Sequence, residues 1–258
     1  MRTGVPVPRK GDRMIRTTSR TALVTGANKG LGLETSRQLA QRGFLVLMGC
    51  RNAAKGKAAA KELRKEGLSV EFLRLDVTKP DQIRTAAAHI RKWFGKLDIL
   101  VNNAGISLDD DRSLNSAEIV SPRVLRRTFD TNFFGLVEMT QKLLPLIKKS
   151  DSGRIVNVAS IMGSLTIHSK EEGMSYKPFA YDASKTAVNA FTIHLAASLS
   201  GTKIKVNSAH PGWVRTDMGG PQAPLSPVDG VKTAVWLATL GPDGPTGKFY
   251  HREEEVPW

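Results

Sequence analysis

Between residues 21 and 101 short apolar runs alternate with amphipathic stretches of helical length, and this alternation restricts the fold more than any other feature. Residues 21–25, 44–49, 70–75 and 97–101 read as strands, while the stretch entered at Gly32 and residues 53–66 and 80–94 read as helices. A run that is apolar at successive positions is covered on both faces, and strands separated by single helices pair in parallel through right-handed crossovers. The expected fold is α/β: a doubly wound parallel sheet of about seven strands with helices on both faces. A chain of 258 residues, 40% of them hydrophobic, is long enough to build it as one domain over residues 20–258.

In such a sheet ligands collect at the carboxyl ends of the strands. Thr25, Cys50, Asp76 and Asn102 all fall there. The first strand runs into Thr25-Gly26-Ala27-Asn28-Lys29-Gly30-Leu31-Gly32, with glycines spaced Gly-x-x-x-Gly-x-Gly. Gly26 suits the tight turn off the strand, Gly30 leaves room for a pyrophosphate, and Gly32 lets helix and strand approach. The helix N-terminus behind them offers free N–H groups to phosphate. The competing reading is a plain glycine-rich connection. At the end of the second strand, where an NAD-preferring fold places an acid for the ribose 2′-hydroxyl, stand Cys50 and Arg51. With no acid to repel a 2′-phosphate, and Arg51 and Lys29 able to bind one, the expectation is NADP rather than NAD.

Later in the chain Tyr181 and Lys185 are four apart on a helix and share one face, so an ammonium would sit beside a phenol. Alone the pair means little, since a packed tyrosine with a lysine reaching to water gives the same pattern. Ser160 ends a fifth strand over residues 154–160. A long helix over about residues 123–149 is opened by Ser121-Pro122, has the poor helix formers Asn132 and Gly135 in its middle, and is expected to bend at Pro145.

Taken in order, the glycine loop, Asp76, Asn102-Asn103-Ala104-Gly105 and Tyr181-x-x-x-Lys185 make the chain resemble the short-chain dehydrogenases/reductases over residues 20–250. The resemblance implies a single-domain Rossmann fold and an oxidoreductase using NADPH/NADP. It places Gly26, Asn28, Lys29, Gly30, Leu31, Gly32 and Arg51 along the cofactor, with Asp76 and Val77 flanking adenine and Asn102, Ala104 and Gly105 further along. Pro211, Gly212, Val214 and Thr216 match the segment at the nicotinamide end, and for Asn103 a structural role between strands is the better expectation. Ser160 and Tyr181 match the residues that receive the substrate oxygen, and Tyr181 the one that gives the proton. Lys185 matches the residue that favours the phenolate and binds the nicotinamide ribose, and Asn132 the one that resupplies protons through water at a local break in its helix. The departure is the Ser160–Tyr181 link of 21 positions, longer than in common members. The extra residues fall between Thr166 and Phe179, with His168 expected as an exposed loop histidine and Tyr176 lacking a lysine partner. NADPH-dependent carbonyl reductases carry an insertion at this link and share the pattern Pro211-Gly212-Trp213-Val214-Arg215-Thr216-Asp217-Met218, Ser226-Pro227 opening a helix, and the closing Val256-Pro257-Trp258. The short stretch from Thr216 to Ser226 predicts an open, permissive site. The implied activity is reduction of ketones or aldehydes, a small-molecule carbonyl substrate. A 3-oxoacyl-carrier reductase or hydroxysteroid dehydrogenase is the alternative within the family, and a non-catalytic NADP-binding sensor the alternative outside it.

The formal charge of +14 invites a nucleic-acid partner. Six basic residues in the first twenty face only Asp12, and this Pro/Gly-bearing stretch, residues 1–19, is expected to be a disordered tail. A targeting peptide is the other reading, against which stands the lack of an amphipathic stripe. The remaining basic residues are scattered without an aromatic-interleaved motif, so no nucleic-acid partner is expected. No apolar run reaches the ~18 residues of a membrane span, and Cys50 is the only cysteine, so a cytoplasmic protein without membrane contact is expected. Monomer and homo-oligomer both stay open, because the insertion precedes a helix through which the family usually pairs.

Overall fold

A computed structural model describes residues 20–108, 116–170 and 178–258. The tail over residues 1–19, and Tyr176 with the acidic Glu171 and Glu172 of the long link, lie outside the described residues. Strands β1 (Thr21–Thr25), β2 (Leu45–Cys50), β3 (Val70–Arg74), β4 (Ile99–Asn102), β5 (Arg154–Val158), β6 (Lys205–His210) and β7 (Lys248–His251) are parallel and stand in the order β3-β2-β1-β4-β5-β6-β7. The order reverses between β1 and β4, which opens a crevice at their carboxyl ends.

The seven parallel strands are those expected, and a two-residue strand, β8 (Glu254–Glu255), is added at the edge. It pairs antiparallel with β7 through a turn in which Arg252 adopts φ 56°. Two exposed glutamates carry no apolar signal, and their pairing comes from the hairpin alone.

Alternate residues of each strand feed two cores. Ala22, Val24, Val46, Met48, Ile99 and Val101 pack under helices α1 (Gly30–Gln41), α2 (Ala53–Lys65) and α9 (Lys232–Ala238), with the short α8 (Pro227–Gly230) beside α1. Leu23, Leu47, Leu100, Ile155 and Val206 pack on the other face under α3 (Pro80–Trp93), α5 (Gly135–Ile147) and α7 (Phe179–Ser198). With both faces covered, β1, β2 and β4 are mostly apolar, whereas β5 and β6 also bury the polar Asn157, Asn207 and Ser208.

The long helix expected over residues 123–149 is present but widened in its middle. α4 (Pro122–Phe129), whose N-cap Ser121 accepts the Val124 N–H at 3.2 Å, continues into a π-helical turn over Asp130–Phe134 and then into α5, which runs through Pro145. The turn brings Asn132 inward, to 1% exposure. It also presses Gly135 against the chain leaving β3: a Cβ there would lie 2.5 Å from the Val77 carbonyl oxygen. Between α5 and β5 lies no other element, and the short helix α6 (Leu165–Lys170) follows β5.

Helix propensity and packing therefore disagree at this glycine. Alanine is the better helix former by about 1 kcal/mol, but the contact distance leaves it no space. Gly135→Ala is expected to lower stability by about 1–3 kcal/mol in urea denaturation, the usual penalty of overpacking; a stabilised variant would show that helix and strand separate freely here.

Candidate active site

At the carboxyl ends of β1, β2, β3 and β4 lies an open cleft of about 260 Å³. Its floor is the glycine loop. Gly26 stands at φ 67°, and a Cβ on Gly32 would lie 2.4 Å from the Gly26 carbonyl oxygen and 2.5 Å from Asn103 Nδ2, so only glycines allow this helix to start so close to the strand. Thr25 and Asn103 fix the turn. Thr25 Oγ1 accepts the N–H groups of Asn103 and Ala104, each at 2.9 Å, and Asn103 Nδ2 returns a bond to the Thr25 carbonyl at 2.8 Å. The N-cap of α1, Lys29, makes no side-chain cap bond and no acid occupies the first turn. The N–H groups of that turn therefore remain available to an anion, which is the electrostatic property a phosphate site needs.

Asn28, Lys29, Gly30 and Leu31 line the cleft with Gly26 and Gly32, and so do Arg51, Asp76, Val77, Ala104, Gly105 and Thr216. Arg51 is exposed and forms no ion pair among the described residues. Beside it Cys50 is fully buried, and burial pushes its thiol up to about 11, so the end of β2 offers the cleft a guanidinium and no acid. Asp76 is held in place by Thr78, whose N–H and hydroxyl donate to Oδ1 at 3.0 and 2.8 Å. Lys29, expected as a second cation for a phosphate, is paired with Asp217 across the mouth of the cleft, and that pairing holds the Asp217 carboxyl below its usual range. The sequence reading missed Asp217 together with Leu75, Asn103, Ile106, Thr131 and Met218 as lining residues. Their one sequence signal is position, next to residues that were singled out.

Two expectations land elsewhere. Asn102 is 3% exposed and faces away from the cleft: Nδ2 donates to Thr140 Oγ1 and to Asn157 Oδ1, both at 2.9 Å. Side chains alternate along a strand, so at this strand end Asn103 takes the cleft and Asn102 the interior. Pro211, Gly212 and Val214 are also not among the cleft-lining residues; Val214 is buried and packs over Gly230, and Gly212 packs on Leu225 and His251.

Asn132, Ser160, Tyr181 and Lys185 are likewise not among the cleft-lining residues; they gather around α7. Lys185, 4% exposed on α7, donates from Nζ to the Val158 carbonyl at 2.7 Å and lies 5.6 Å from the centre of the Tyr181 ring. Burial pushes its pKa down to about 8. The ammonium is just behind the cleft: a Cβ on Gly105 would be 3.7 Å from it and 3.5 Å from Asn132 Oδ1. Asn132 is a brace. Oδ1 accepts the Ile106 N–H at 2.8 Å, and Nδ2 donates to the Ile106 carbonyl at 2.9 Å and to Ser184 Oγ at 3.0 Å, while Ser184 donates to the Tyr181 carbonyl at 2.7 Å. Both of its amide protons are committed.

Ser160 caps a 3₁₀ turn over Ile161–Gly163. Its Oγ accepts the Met162 N–H at 3.2 Å, which leaves its own proton to donate. The Gly163 carbonyl accepts from Thr186 and Asn189 of α7 at 3.1 and 3.3 Å, so the turn that carries Ser160 is docked on the helix that carries Tyr181 and Lys185. His168 is not the exposed loop histidine that was expected. It sits on α6, its side chain 14% exposed and Nδ1 3.9 Å from Asp182 Oδ2, because α6 lies against the start of α7.

The family model for short chain dehydrogenase matches residues 20–224. This chain is a short-chain dehydrogenase. Mouse carbonyl reductase [NADPH] 1 is 37% identical to it over 92% of this chain and 98% of that protein. Among solved structures, the NADPH-bound carbonyl reductase from chicken fatty liver superposes with a TM-score of 0.81 at 27% identity, covering 93% of this chain and 99% of that one. Salutaridine reductase from Papaver somniferum superposes at 0.77 with 32% identity, covering 90% of this chain and 99% of that one. No helix among the described residues of this dehydrogenase is long and apolar enough to cross a membrane.

Reassigning Asn102 to the interior of the sheet has a measurable consequence. Asn102→Ala leaves Asn157 Oδ1 without its Asn102 donor and is expected to lower stability by about 1–3 kcal/mol, read by urea denaturation. NADPH affinity, read by fluorescence, should stay within about threefold, the scatter of a group making no direct contact. A large loss of affinity in a variant of unchanged stability would return Asn102 to the cleft.

Proposed function

We propose that this chain catalyses NADPH-dependent reduction of ketones and aldehydes to alcohols, with alcohol oxidation as the reverse. The observation that carries the reading is the Lys185 ammonium, buried beside the Tyr181 ring just behind a glycine-floored cleft. Its support comes from the carbonyl reductases that the chain is similar to in sequence and in structure. The residues present fit a phosphorylated dinucleotide: a loop that excludes side chains, an uncapped helix N-terminus, and Arg51, which has no ion pair among the described residues, where a 2′-phosphate would lie. When bound, NADPH supplies the hydride.

The chain's own residues do the rest. As hydride adds to the carbonyl carbon, negative charge grows on oxygen, and only groups that meet that charge in the transition state raise the rate. In this reading Ser160 donates its free proton to the oxygen and Tyr181 transfers its phenolic proton to it. Lys185 stabilises the charge left on the phenol, an effect magnified because burial removes the water that would screen it. Lys185 would also hold the nicotinamide ribose, Asn132 fixes the loop and helix on either side of the lysine, and a water beside Asn132 would resupply the proton. Pro211, Gly212, Val214 and Thr216 are assigned to the nicotinamide end through their backbone, and the tail over residues 1–19 to no part of the chemistry. We take residues 20–258 as the catalytic unit and the cytoplasm as its compartment, a reducing setting that suits the single buried Cys50.

A panel of aryl ketones, aldehydes, steroids and acyl thioesters followed by NADPH absorbance, with NADH beside it, tests the proposal. Simple carbonyls should turn over with NADPH preferred. Tyr181→Phe should reduce turnover by about a thousandfold or more, the scale of a lost general acid, with NADPH binding within a few-fold. Normal turnover in that variant would remove the mechanism.

The pH dependence follows from burial. A lysine pushed down to about 8 is an ammonium at neutral pH and becomes a neutral amine as pH rises through that value. kcat/KM for reduction should be level from about pH 6 to 7 and fall above an apparent pKa near 8, because only the cationic form stabilises the phenolate. A profile level to pH 9.5 would exclude this lysine from the rate.

A further inference from the structure

His210 ends β6, and its ring touches two pieces of backbone that the chemistry above relies on. Nδ1 accepts the Ile161 N–H and the Gly212 N–H, each at 3.3 Å. Ile161 follows Ser160 directly, and Gly212 belongs to the segment assigned to the nicotinamide end. The 3₁₀ turn satisfies its other amides internally, Met162 on Ser160 Oγ and Gly163 on the Ser160 carbonyl at 2.8 Å. The Ile161 amide is therefore the one tied to another strand. The imidazole is itself held. His251 on β7 bonds the His210 carbonyl through Nδ1 at 3.0 Å and brings its ring to 4.8 Å, and Phe249 lies at 6.5 Å.

We propose that His210 is a positioning residue for carbonyl reduction, its Nδ1 locking together the turn that aims Ser160 and the backbone at Gly212. The proposal rests on the functional reading above. Gly212 stands at φ 81°, and a Cβ there would be 2.5 Å from Leu225 Cδ1, so the backbone passes too close to its neighbours for any side chain. A shared acceptor gives the two loops one reference point, and misplacement of a reacting group by about 1 Å can cost a hundredfold in rate.

The acceptor role requires a neutral ring with the proton on Nε2. Burial first, and the neighbouring His251 second, push the His210 pKa down to about 3, so the acceptor persists across the working pH range. His251 is the titratable group that faces it from β7; Phe249, the Ser160 turn and the Gly212 backbone are uncharged.

The side-chain geometry supplies the test. Asparagine Oδ1 is as many bonds from Cα as histidine Nδ1, whereas glutamine Oε1 is one bond further, at the place of Nε2. His210→Asn and His210→Gln are compared with the parent for kcat and KM on an aryl ketone, for melting temperature, and for amide exchange of Ile161 and Gly212 by NMR. The Gln variant is expected to lose about tenfold in kcat, the scale of one amide deprived of its acceptor, with KM changed far less and both amides exchanging faster. The Asn variant should stay within about threefold of the parent, with both amides still protected. A fully active Gln variant, or an Asn variant as impaired as Gln, overturns the proposal. If the Gln variant does not fold, the Asn variant decides alone: retained activity supports, a tenfold loss overturns. Should the parent itself reduce no carbonyl compound, the functional reading falls, while the exchange pattern still decides whether Nδ1 holds the two backbones.

Discussion

The site depends on a cation kept out of water. Lys185 has one acceptor among the described residues, the Val158 carbonyl at 2.7 Å, and a buried ammonium with so little solvation is destabilising taken alone. It can persist only if the elements around it leave it no way back to solvent. Val158 is the last residue of β5, where the ladder ends and a carbonyl is free to turn to the lysine. α7 is then held on two sides, by Asn132 through Ser184 and by the Gly163 carbonyl through Thr186 and Asn189. Rotation of the helix would break bonds on one side or the other, so the ammonium stays beside the Tyr181 ring.

The same constraint explains a buried polar chain that does not meet the cleft. Thr140, Asn102, Asn157, Thr192 and Ser208 are linked in sequence by bonds of 2.9 Å, joining β4, β5 and β6 to α5 and α7. An apolar interior at these positions would pack, but it would not fix the height of one strand end relative to the next. Hydrogen bonds are directional where apolar contacts are not, and a fully satisfied network specifies one arrangement. Because Ser160 leaves β5, the lysine reaches back to β5 and His210 ends β6, relative strand height sets the distances at the inner end of the site.

The sheet was legible in the sequence because burial on both faces writes itself as unbroken apolar runs, and the glycine loop because a Cβ at Gly32 has no space. The break in the long helix was legible too: Asn132 and Gly135 are expensive in a regular helix and are repaid by Ile106 and Val77. Less was visible where facing direction decides. Asn102 and Asn103 are chemically identical neighbours, and only the strand's pleat tells them apart. The Lys29–Asp217 pair joins residues 188 apart, and Lys29 was read as a cation for a phosphate with no sign of its partner. His168 looked exposed because its link is polar, yet α6 lies against the start of α7, where Asp182 stands. His210 carried no local signal, since its partners are backbone amides brought together by strand ends.

Two cations of this molecule show how burial divides labour between like charges. Arg51 is exposed at the outer end of the cleft, where water and salt screen it within about 8–10 Å at physiological ionic strength. A charge so placed contributes through direct contact with an anion, by orienting it and by discriminating between a phosphate and a hydroxyl. Lys185 is 4% exposed, and its field is damped far less. It suits a charge that exists only briefly, on a phenol that is losing its proton. Exchanging their settings would fail at both ends: an exposed lysine would stabilise phenolate little, and a buried arginine at the outer end would have to shed water before any ligand arrived. The fold separates the two by putting one beyond a strand end and the other on the interior face of a helix, so the reaction and the recognition that precedes it draw on the same kind of charge under different solvation.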